Sequence, residues 1–376
     1  MVQTIVILGG SLGGLHVAHA LLKKNNKDIK VILVSKNSHF YWNIASVRAI
    51  IPNQIKDEDI LRPLSSALSR YPAESYELVI GTATSADFDA KSVTISSYSN
   101  ESSTIAYDQL VVATGARYAD ETPTPWKASD SYEAVLSNLH DTASRAAKAQ
   151  HIVVAGAGAT GVEVAGELAY EWGKTKDIIL LSAGDKVLGN DIAGPAATNE
   201  LKKLNVTIKY NSRVVGINTS SLPEGKTEIE LESGEKLTAD LYLPTTGMIP
   251  NTEYIPQQHL DVTRKTVLVD EFLRVEGVAS QNVWAVGDVV SKPRAGFMIT
   301  QKQAASAAKN IELVLAGKQP LPAKGVPVDI LACAVGRGRG AGRMGGIRLP
   351  SFGVWVAKGR TLGLQMVGGY IDGSVA

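Results

Sequence analysis

Apolar and polar positions in this chain follow the same order twice. A short apolar run is followed by a glycine-rich turn, a helical pattern of small residues and a second apolar run. This order predicts two βαβ units, because buried parallel strands are short, continuously apolar and joined by amphipathic helices. The two units are predicted at Thr4–Leu8, about 13–24 and Ile29–Val34, and at His151–Ala155, about 161–172 and Ile178–Leu181.

Shorter runs follow each unit. We expect residues 76–114 to form an antiparallel meander beginning with Leu78–Ile80, and a second meander to begin with Val206–Ile208. Val283–Val286 then predicts a strand and Thr300–Leu315 an alanine-rich helix. The prediction is an α/β fold with two nested Rossmann-like nucleotide-binding domains, each a βαβ unit plus a meander, and a small C-terminal α+β segment. The predicted boundaries are 1–120 with 245–316, then 121–244, then 317–376.

The glycine-rich turns are the strongest chemical signal. Each lies between a strand and a helix, where free N–H groups and the helix dipole favour a pyrophosphate. Two such turns predict two dinucleotides in one protein, typical of a flavin that a nicotinamide reduces. The candidate turn residues are Gly9, Gly10, Ser11, Gly13 and Gly14 in the first unit, and Gly156, Gly158, Thr160 and Gly161 in the second.

Composition narrows the class of function. The 376 residues are 44% hydrophobic, which is typical of a globular protein, and the net charge of +1 argues against nucleic-acid binding. No apolar run is long enough for a membrane span, and Met1 leads almost directly into the first strand, so we expect no leader peptide and a cytoplasmic location. The single cysteine, Cys333, cannot form a redox-active pair within the chain.

Three further motifs carry a family resemblance. They are Ala113-Thr114-Gly115, the run Thr246–Asn251 and Val286-Gly287-Asp288. With the two glycine turns, they make residues 3–316 resemble the two-dinucleotide-binding flavoprotein superfamily. The run Phe40–Ala49 resembles AIF-like, ferroptosis-suppressor-type quinone reductases, and the missing cysteine pair agrees with this branch and with type II NADH dehydrogenases.

The resemblance implies FAD in the first domain and NADH or NADPH in the second. Besides the first turn, the residues implied to contact FAD are Ser35, Lys36, Arg48, Ala83, Ala113, Thr114, Gly115, Gly287 and Asp288. Besides the second turn, those implied for the nicotinamide nucleotide are Glu163 and Gly247.

Three positions depart from the expected pattern. Ser11 replaces a glycine of the first turn, and Ser35 and Ser182 stand where a carboxylate normally accepts from a ribose hydroxyl. Lys36 is a candidate for an added contact. Because no carboxylate repels a 2′-phosphate, the choice between NADH and NADPH stays open.

Hydride transfer from a nicotinamide to a flavin requires orientation and electrostatic support, with no acid or base. The helix N-terminus near Phe297–Gln301 is the candidate for that support. The resemblance implies that Gln301, Lys302 and Gln303 lie near the flavin and the acceptor, with Gln301 and Lys302 as candidate catalytic residues. Lys302 as a solvated surface lysine is the alternative. The cluster Tyr41-Trp42-Asn43 is a second site candidate, as the wall for a flat acceptor, and core packing is the alternative for Trp42. Arg48 is either functional or ion-paired. The histidines show no metal-binding spacing, and no metal is expected.

The segment between Ile330 and Ile371 holds six basic residues, eleven glycines and no acidic residue. A basic patch for a membrane surface (the mitochondrial outer surface or lipid surfaces) or an acidic ligand is one interpretation. A glycine-rich cap over the active site, or a face for a homodimer, is the other.

We expect an enzyme that passes a hydride from NAD(P)H to flavin N5 and then electrons to a quinone-like small molecule, without a redox disulfide. The alternatives are an AIF-like redox-sensing effector with slow turnover, and a flavin reductase that serves a protein or tailoring-pathway acceptor.

Overall fold

The computed structural model describes residues 2–99, 101–119, 122–127, 130–219, 225–291 and 294–376. Its elements up to residue 118 are β1 (Gln3–Leu8), α1 (Leu12–Leu22), β2 (Ile29–Ser35), β3 (His39–Tyr41), α2 (Ser46–Ala49), α3 (Asp57–Ile60), β4 (Leu61–Pro63), α4 (Leu64–Leu68), β5 (Tyr76–Ile80), β6 (Thr82–Asp87), β7 (Ser92–Ser96), β8 (Ser102–Ala106), β9 (Gln109–Val112) and β10 (Ala116–Tyr118).

The middle of the chain contains α5 (Tyr132–Lys148), β11 (His151–Ala155), α6 (Ala159–Trp172), β12 (Asp177–Leu181), α7 (Gly194–Lys203), β13 (Thr207–Lys209), β14 (Val214–Asn218), β15 (Thr227–Leu231), β16 (Lys236–Ala239), β17 (Leu241–Pro244) and β18 (Met248–Pro250). The last part contains β19 (Val283–Ala285), α8 (Phe297–Leu315), β20 (Ile330–Val335), β21 (Arg339–Met344), β22 (Ile347–Leu349), α9 (Ser351–Val354) and α10 (Val367–Ile371).

Two parallel sheets form the framework. The first has the strand order β19-β9-β1-β2-β5 and the second the order β13-β12-β11-β17. The central strands are apolar throughout because helices or meanders cover both faces; Ile5, Val6 and Ile7 are completely buried. Both glycine turns therefore lie at the carboxyl edge of a parallel sheet, which is the ligand-binding edge in such folds.

The predicted meanders began one strand too early. Leu78–Ile80 belongs to β5, which pairs in parallel with β2, and Thr207–Lys209 pairs in parallel with β12. The antiparallel meanders are β6-β7-β8 and β14-β15-β16. Both errors have one cause: the last strand of each parallel sheet lies at an edge and is only partly buried, so its pattern resembles that of a meander strand.

The nested arrangement is confirmed. β19 pairs in parallel with β9, so the chain returns to the first sheet after the second domain. Strand β10 precedes the second domain and strand β18 follows it. The two pair as an antiparallel ribbon where the chain leaves the first domain and returns to it. The predicted boundary between residues 120 and 121 lies outside the described residues.

The C-terminal segment is the predicted small α+β unit. Its three strands form the antiparallel sheet β20-β21-β22, and short helical turns follow. The end of the chain packs on α1: the His19 Nε2–H donates to the Tyr370 carbonyl at 2.8 Å, and the Tyr71 hydroxyl lies 2.8 Å from His19 Nδ1. Because a carbonyl only accepts, this geometry selects the neutral Nε2–H tautomer.

Burial lowers the pKa of His19 to about 4, with Lys23, Arg70 and His16 adding repulsion and the Tyr370 carbonyl opposing the shift. Burial and Lys23 also lower the pKa of His16 to about 4. A histidine whose pKa is lowered by folding contributes stability above its unfolded pKa of 6.5, and this is lost as the pH falls toward 4.

We therefore expect the free energy of unfolding to fall by about 2 kcal/mol for each of these histidines between pH 7 and pH 5. Urea unfolding at both pH values measures this. His19→Gln, which can keep both hydrogen bonds without titrating, should remove about half of the pH dependence. An unchanged pH dependence in that variant would contradict the assignment.

Candidate nucleotide-binding sites

A cavity of about 540 Å³ opens at the carboxyl edge of the first sheet. Loops that follow β1, β2, β5, β9 and β19 all contribute to its wall. The predicted cofactor residues that line it are Gly9, Gly10, Ser11, Gly13, Ser35, Lys36, Ala83, Ala113, Thr114, Gly115, Gly287 and Asp288. The structure thus brings residues that are up to 279 positions apart in the chain (288 − 9) to one cavity.

The first glycine turn is shaped for close backbone approach. Gly9 has φ +114°, and a Cβ there would lie 2.3 Å from the Ala113 carbonyl oxygen. A Cβ on Gly14 would lie 1.9 Å from the Gly9 carbonyl oxygen, so α1 packs directly under the turn. These contacts leave the wall of the cavity as bare backbone at the N-terminus of a helix, which fits a pyrophosphate.

The second turn repeats this geometry. Gly156 has φ +112°, and a Cβ there would lie 2.3 Å from the Thr246 side chain. A Cβ on Gly161 would lie 1.7 Å from the Gly156 carbonyl oxygen. Gly158 faces open space, and Thr160 receives a 3.4 Å contact from the Tyr118 hydroxyl. Gly247, with φ +71°, lies beside Ala119 in the ribbon that connects the two domains.

The two serines that replace a carboxylate behave alike. The Ser35 hydroxyl donates to the Asn37 carbonyl at 2.6 Å, and the Ser182 hydroxyl donates to the Lys186 carbonyl at 2.8 Å. Both side chains are buried. Each hydroxyl group therefore stabilises its own loop by donating its proton within it. Its oxygen can still accept a hydrogen bond from a ligand, but the hydroxyl cannot donate one. Lys36 lies at the cavity wall, 3.6 Å from Asp130.

Asp288 has a partner that sequence reasoning missed. Lys127 Nζ lies 2.5 Å from Asp288 Oδ2, and both residues line the cavity. The preceding Gly287 N–H donates to the Gln303 side chain at 2.8 Å, which holds the turn against α8. No motif marks Lys127, because it lies in the irregular segment between the domains; its approach to Asp288 is a tertiary contact.

The helix α8 presents a different face from the one predicted. Thr300 lines the cavity and Gln303 holds Gly287, whereas Lys302 is exposed and neither it nor Gln301 lines the cavity. Positions three apart share a helix face, and Lys302 is turned about 100° from Gln303. The alternative of a surface lysine is the one that the structure supports.

Trp42 belongs to the core. It is 1% exposed, lies outside the cavity lining, donates from Nε1 to the Leu362 carbonyl at 2.8 Å and packs edge-on against Phe297. The prediction that it walls an acceptor site is therefore wrong for this arrangement. Its neighbours Tyr41 and Asn43 line the cavity instead.

Arg48 does not reach the cavity either. Its guanidinium donates from Nε and Nη2 to Glu167 Oε1, at 3.0 and 2.7 Å, and also donates to the carbonyls of Gly359 and Arg360. Arg48 lies in the first domain, Glu167 in the second, and the carbonyls in the C-terminal segment. The prediction that Arg48 binds the cofactor is therefore wrong, and the alternative prediction, an ion-paired arginine, is the one that the structure shows. Arg48 connects three parts of the chain through these contacts.

Glu163 is also held by the C-terminal segment. Its carboxylate accepts from the Ala334 N–H at 2.9 Å and lies 2.6 Å from Lys358 Nζ. Its contact with a nicotinamide nucleotide stays a prediction. Four of the six basic residues of this segment form such pairs with acidic residues of the second domain: Arg337 with Glu171, Arg339 with Glu200, Arg343 with Asp191, and Lys358 with Glu163.

These pairs change the interpretation of the C-terminal charge. The segment carries the positive side of an ionic interface within the chain, which favours the cap over a free basic patch. Arg348 and Arg360 are exposed. In the part of the chain that the structure describes, no helix is long and apolar enough to cross a bilayer, and no cluster of side chains could hold a metal ion.

Cys333 lies fully buried in β20. Burial, with a smaller effect from the nearby Glu163 carboxylate, raises the pKa of its thiol to about 12. A thiol in this environment does not form the thiolate that redox exchange requires. The expectation of a site without a redox disulfide therefore has a physical basis beyond the cysteine count.

Each glycine turn, with the helix N-terminus that follows it, forms a cradle for a pyrophosphate at the edge of a parallel sheet. Two such glycine cradles, in two nested domains of one chain, define a two-dinucleotide-binding oxidoreductase fold. The chain belongs to the pyridine nucleotide-disulphide oxidoreductase family, whose family model matches residues 3–313. The resemblance to this superfamily, including its AIF-like and ferroptosis-suppressor branch, is confirmed. The family implies binding of FAD and of a nicotinamide nucleotide.

Similar proteins cover nearly the whole chain. Oxidoreductase ptaL of Pestalotiopsis fici is 39% identical over 99% of both chains. Apoptosis-inducing factor 1 of Saccharomyces cerevisiae is 26% identical over 96% of both. The crystal structure of the sulfide:quinone oxidoreductase of Aquifex aeolicus matches 100% of this chain and 92% of its own, with a TM-score of 0.75 at 18% identity. This last likeness supports the fold.

Breaking the Arg48–Glu167 pair should destabilise the protein strongly. Arg48→Met leaves a buried carboxylate without its partner, at a cost of about 3–5 kcal/mol in the free energy of unfolding. Burial already raises the pKa of Glu167, against the opposing effect of Arg48.

Urea unfolding of Arg48→Met, Glu167→Met and the double variant measures this. The double variant should be less destabilised than the sum of the single ones, because no unpaired charge remains. Arg145→Met, which breaks an exposed pair with Asp141, is the control and should change stability by less than about 1 kcal/mol. Equal effects at the two pairs would refute the structural role.

Proposed function

We propose that this protein is an NAD(P)H-dependent flavoprotein reductase that passes electrons to a quinone or a similar small acceptor. The observation that carries the proposal is the pair of matching cradles, of which the first opens into a cavity of about 540 Å³. FAD, when bound, supplies the capacity to accept a hydride and release electrons to an acceptor.

The chain contributes binding and orientation. Bare backbone at Gly9 and Gly156 lets each pyrophosphate approach a helix N-terminus, and the dipoles of α1 and α6 favour its negative charge. The N-terminal turn of α8 meets the first cavity at Thr300, so its dipole favours negative charge on the bound ring system. These contributions need no proton transfer from a side chain.

The lack of a thiol relay within the chain supports direct electron transfer from a bound flavin to the acceptor. With Cys333 buried and its pKa raised to about 12, electrons have no thiol relay within the chain. The acceptor must therefore come to the bound flavin itself. One structurally similar protein, from Aquifex aeolicus, is a sulfide:quinone oxidoreductase, which favours a quinone within this class.

Two alternatives differ in turnover. In an AIF-like redox-sensing effector, the reduced state would persist and change association with a partner. A flavin reductase for a protein or tailoring-pathway acceptor would recover only when that acceptor is added. Location in the cytoplasm, peripheral contact with a membrane and formation of a homodimer remain parts of the proposal, with exposed Ile347 and Phe352 as the surface for such contacts.

Anaerobic reduction tests the main proposal. We expect the purified protein to carry FAD, to lose absorbance near ~450 nm on addition of NADH or NADPH, and to recover it promptly on addition of ubiquinone or menadione. Cys333→Ala should recover at the same rate. Reduction without recovery would support the sensor or a protein acceptor, and protein that binds no FAD would overturn the proposal.

Substitutions in the two glycine turns should have separate effects, one on FAD binding and the other on reduction by NAD(P)H. Gly14→Ala places a methyl group where the Gly9 carbonyl lies 1.9 Å away, so it should abolish FAD retention. Gly161→Ala creates the same clash 1.7 Å from the Gly156 carbonyl, and should leave FAD bound while slowing reduction by NAD(P)H at least ~100-fold. Gly368→Ala has open space around its Cβ and is the control. Flavin content and stopped-flow reduction separate these effects; loss of FAD from both cradle variants would contradict the assignment of one dinucleotide to each turn.

A further inference from the structure

The charge of the first cavity is unevenly distributed. Among the described residues that line it, three carry a full positive charge: Lys36, Arg117 and Lys127. The side chains of Lys36 and Arg117 are 43% and 39% exposed, whereas that of Lys127 is 21% exposed. Lys127 is therefore the cation best shielded from water, and its charge acts at the lowest local dielectric of the three.

The backbone beside Lys127 is held in place from both domains. The Tyr41 hydroxyl donates to the Pro125 carbonyl at 2.7 Å, and the Asn43 amide donates to the Trp126 carbonyl at 2.8 Å. The Trp126 indole N–H donates to the Pro244 carbonyl of the second domain at 3.0 Å, and Trp126 is 2% exposed. The interdomain segment thus positions Lys127 at the cavity, because hydrogen bonds from both domains hold the backbone and side chain of the two preceding residues.

Asp288 lies close to the first cradle. A Cβ on Gly13 would lie 3.3 Å from both Val286 and Thr300, so the glycine turn is in contact with the segment that carries Asp288. Asp288 is only 18% exposed at its side chain and lines the same cavity. An uncompensated carboxylate at this place would repel the two negative charges of a pyrophosphate.

We propose that Lys127 is a binding residue of the first site, and that its ammonium group offsets the Asp288 carboxylate so that the cavity accepts a dinucleotide diphosphate. This inference rests on the proposed binding of FAD in this cavity. Asp288 then supplies hydrogen-bond acceptors to the ligand without imposing a net negative charge on its surroundings.

The test is a series of charge-removing and charge-keeping variants of the whole chain. FAD is titrated into apo-protein, and the dissociation constant is taken from quenching of flavin fluorescence. Lys127→Met should raise the dissociation constant for FAD at least ~10-fold, and Lys127→Arg should stay within ~3-fold of the wild type. Lys30→Met, which breaks a lysine–carboxylate pair with Glu77 on the sheet surface, is the matched control and should not change it.

The decisive variant is Lys127→Met combined with Asp288→Asn. If Lys127 offsets Asp288, removing the carboxylate restores FAD affinity relative to Lys127→Met alone. A double variant that binds FAD no better than Lys127→Met, or a Lys127→Met variant that matches Lys30→Met, overturns the proposal. Circular dichroism and urea unfolding confirm that each variant is folded.

A second probe separates this proposal from the identity of the cofactor. ADP carries the diphosphate without the flavin, and its effect on the thermal midpoint is measured for the same variants. If the wild type binds no FAD but ADP stabilises it in a way that Lys127→Met removes and the double variant restores, the proposed function fails and the role of Lys127 stands. An ADP shift that is the same in all variants overturns the role of Lys127.

Discussion

The buried pair of Arg48 and Glu167 is the contact on which the arrangement of the three parts depends. Its carboxylate is completely buried, and its guanidinium also donates to two carbonyls of the C-terminal segment. A buried charge requires partners, so this interaction favours the arrangement in which the two nucleotide-binding domains and the cap meet at Arg48. The two glycine cradles, on separate sheets, are placed relative to each other by that arrangement.

The C-terminal segment extends the same principle across the second domain. Lys358 and three of its arginines, Arg337, Arg339 and Arg343, meet acidic residues on α6, on α7 and at Asp191. Arg343 bridges Asp191 and Asp329. Buried aromatic packing holds its end against the first domain, where Tyr370 stacks on Phe40 with ring centroids 5.1 Å apart. The segment thus combines ion pairs with buried apolar packing, and it contacts both domains.

The relatives of the chain and its own geometry agree on the family. The oxidoreductase family and both cradles follow from backbone features that a pyrophosphate requires. Acceptor identity depends on side chains around the mouth of the site, which vary without changing the fold.

The sequence alone determined the features that depend on local backbone chemistry. Glycine at 9, 14, 156 and 161 marks positions where any side chain would collide with a carbonyl or a neighbouring side chain, and apolar runs before those turns mark buried strands.

Only the tertiary structure decided what the charged and aromatic side chains do. It placed Trp42 in the core, paired Arg48 with Glu167, turned Lys302 to the surface and brought Lys127 to Asp288. The same limit applies to β5 and β13. Their local pattern does not show whether they pair in a parallel sheet or in a meander, and the tertiary structure places both in a parallel sheet. A glycine turn is read within six residues, whereas the role of a long charged side chain depends on which distant group folding brings within its reach.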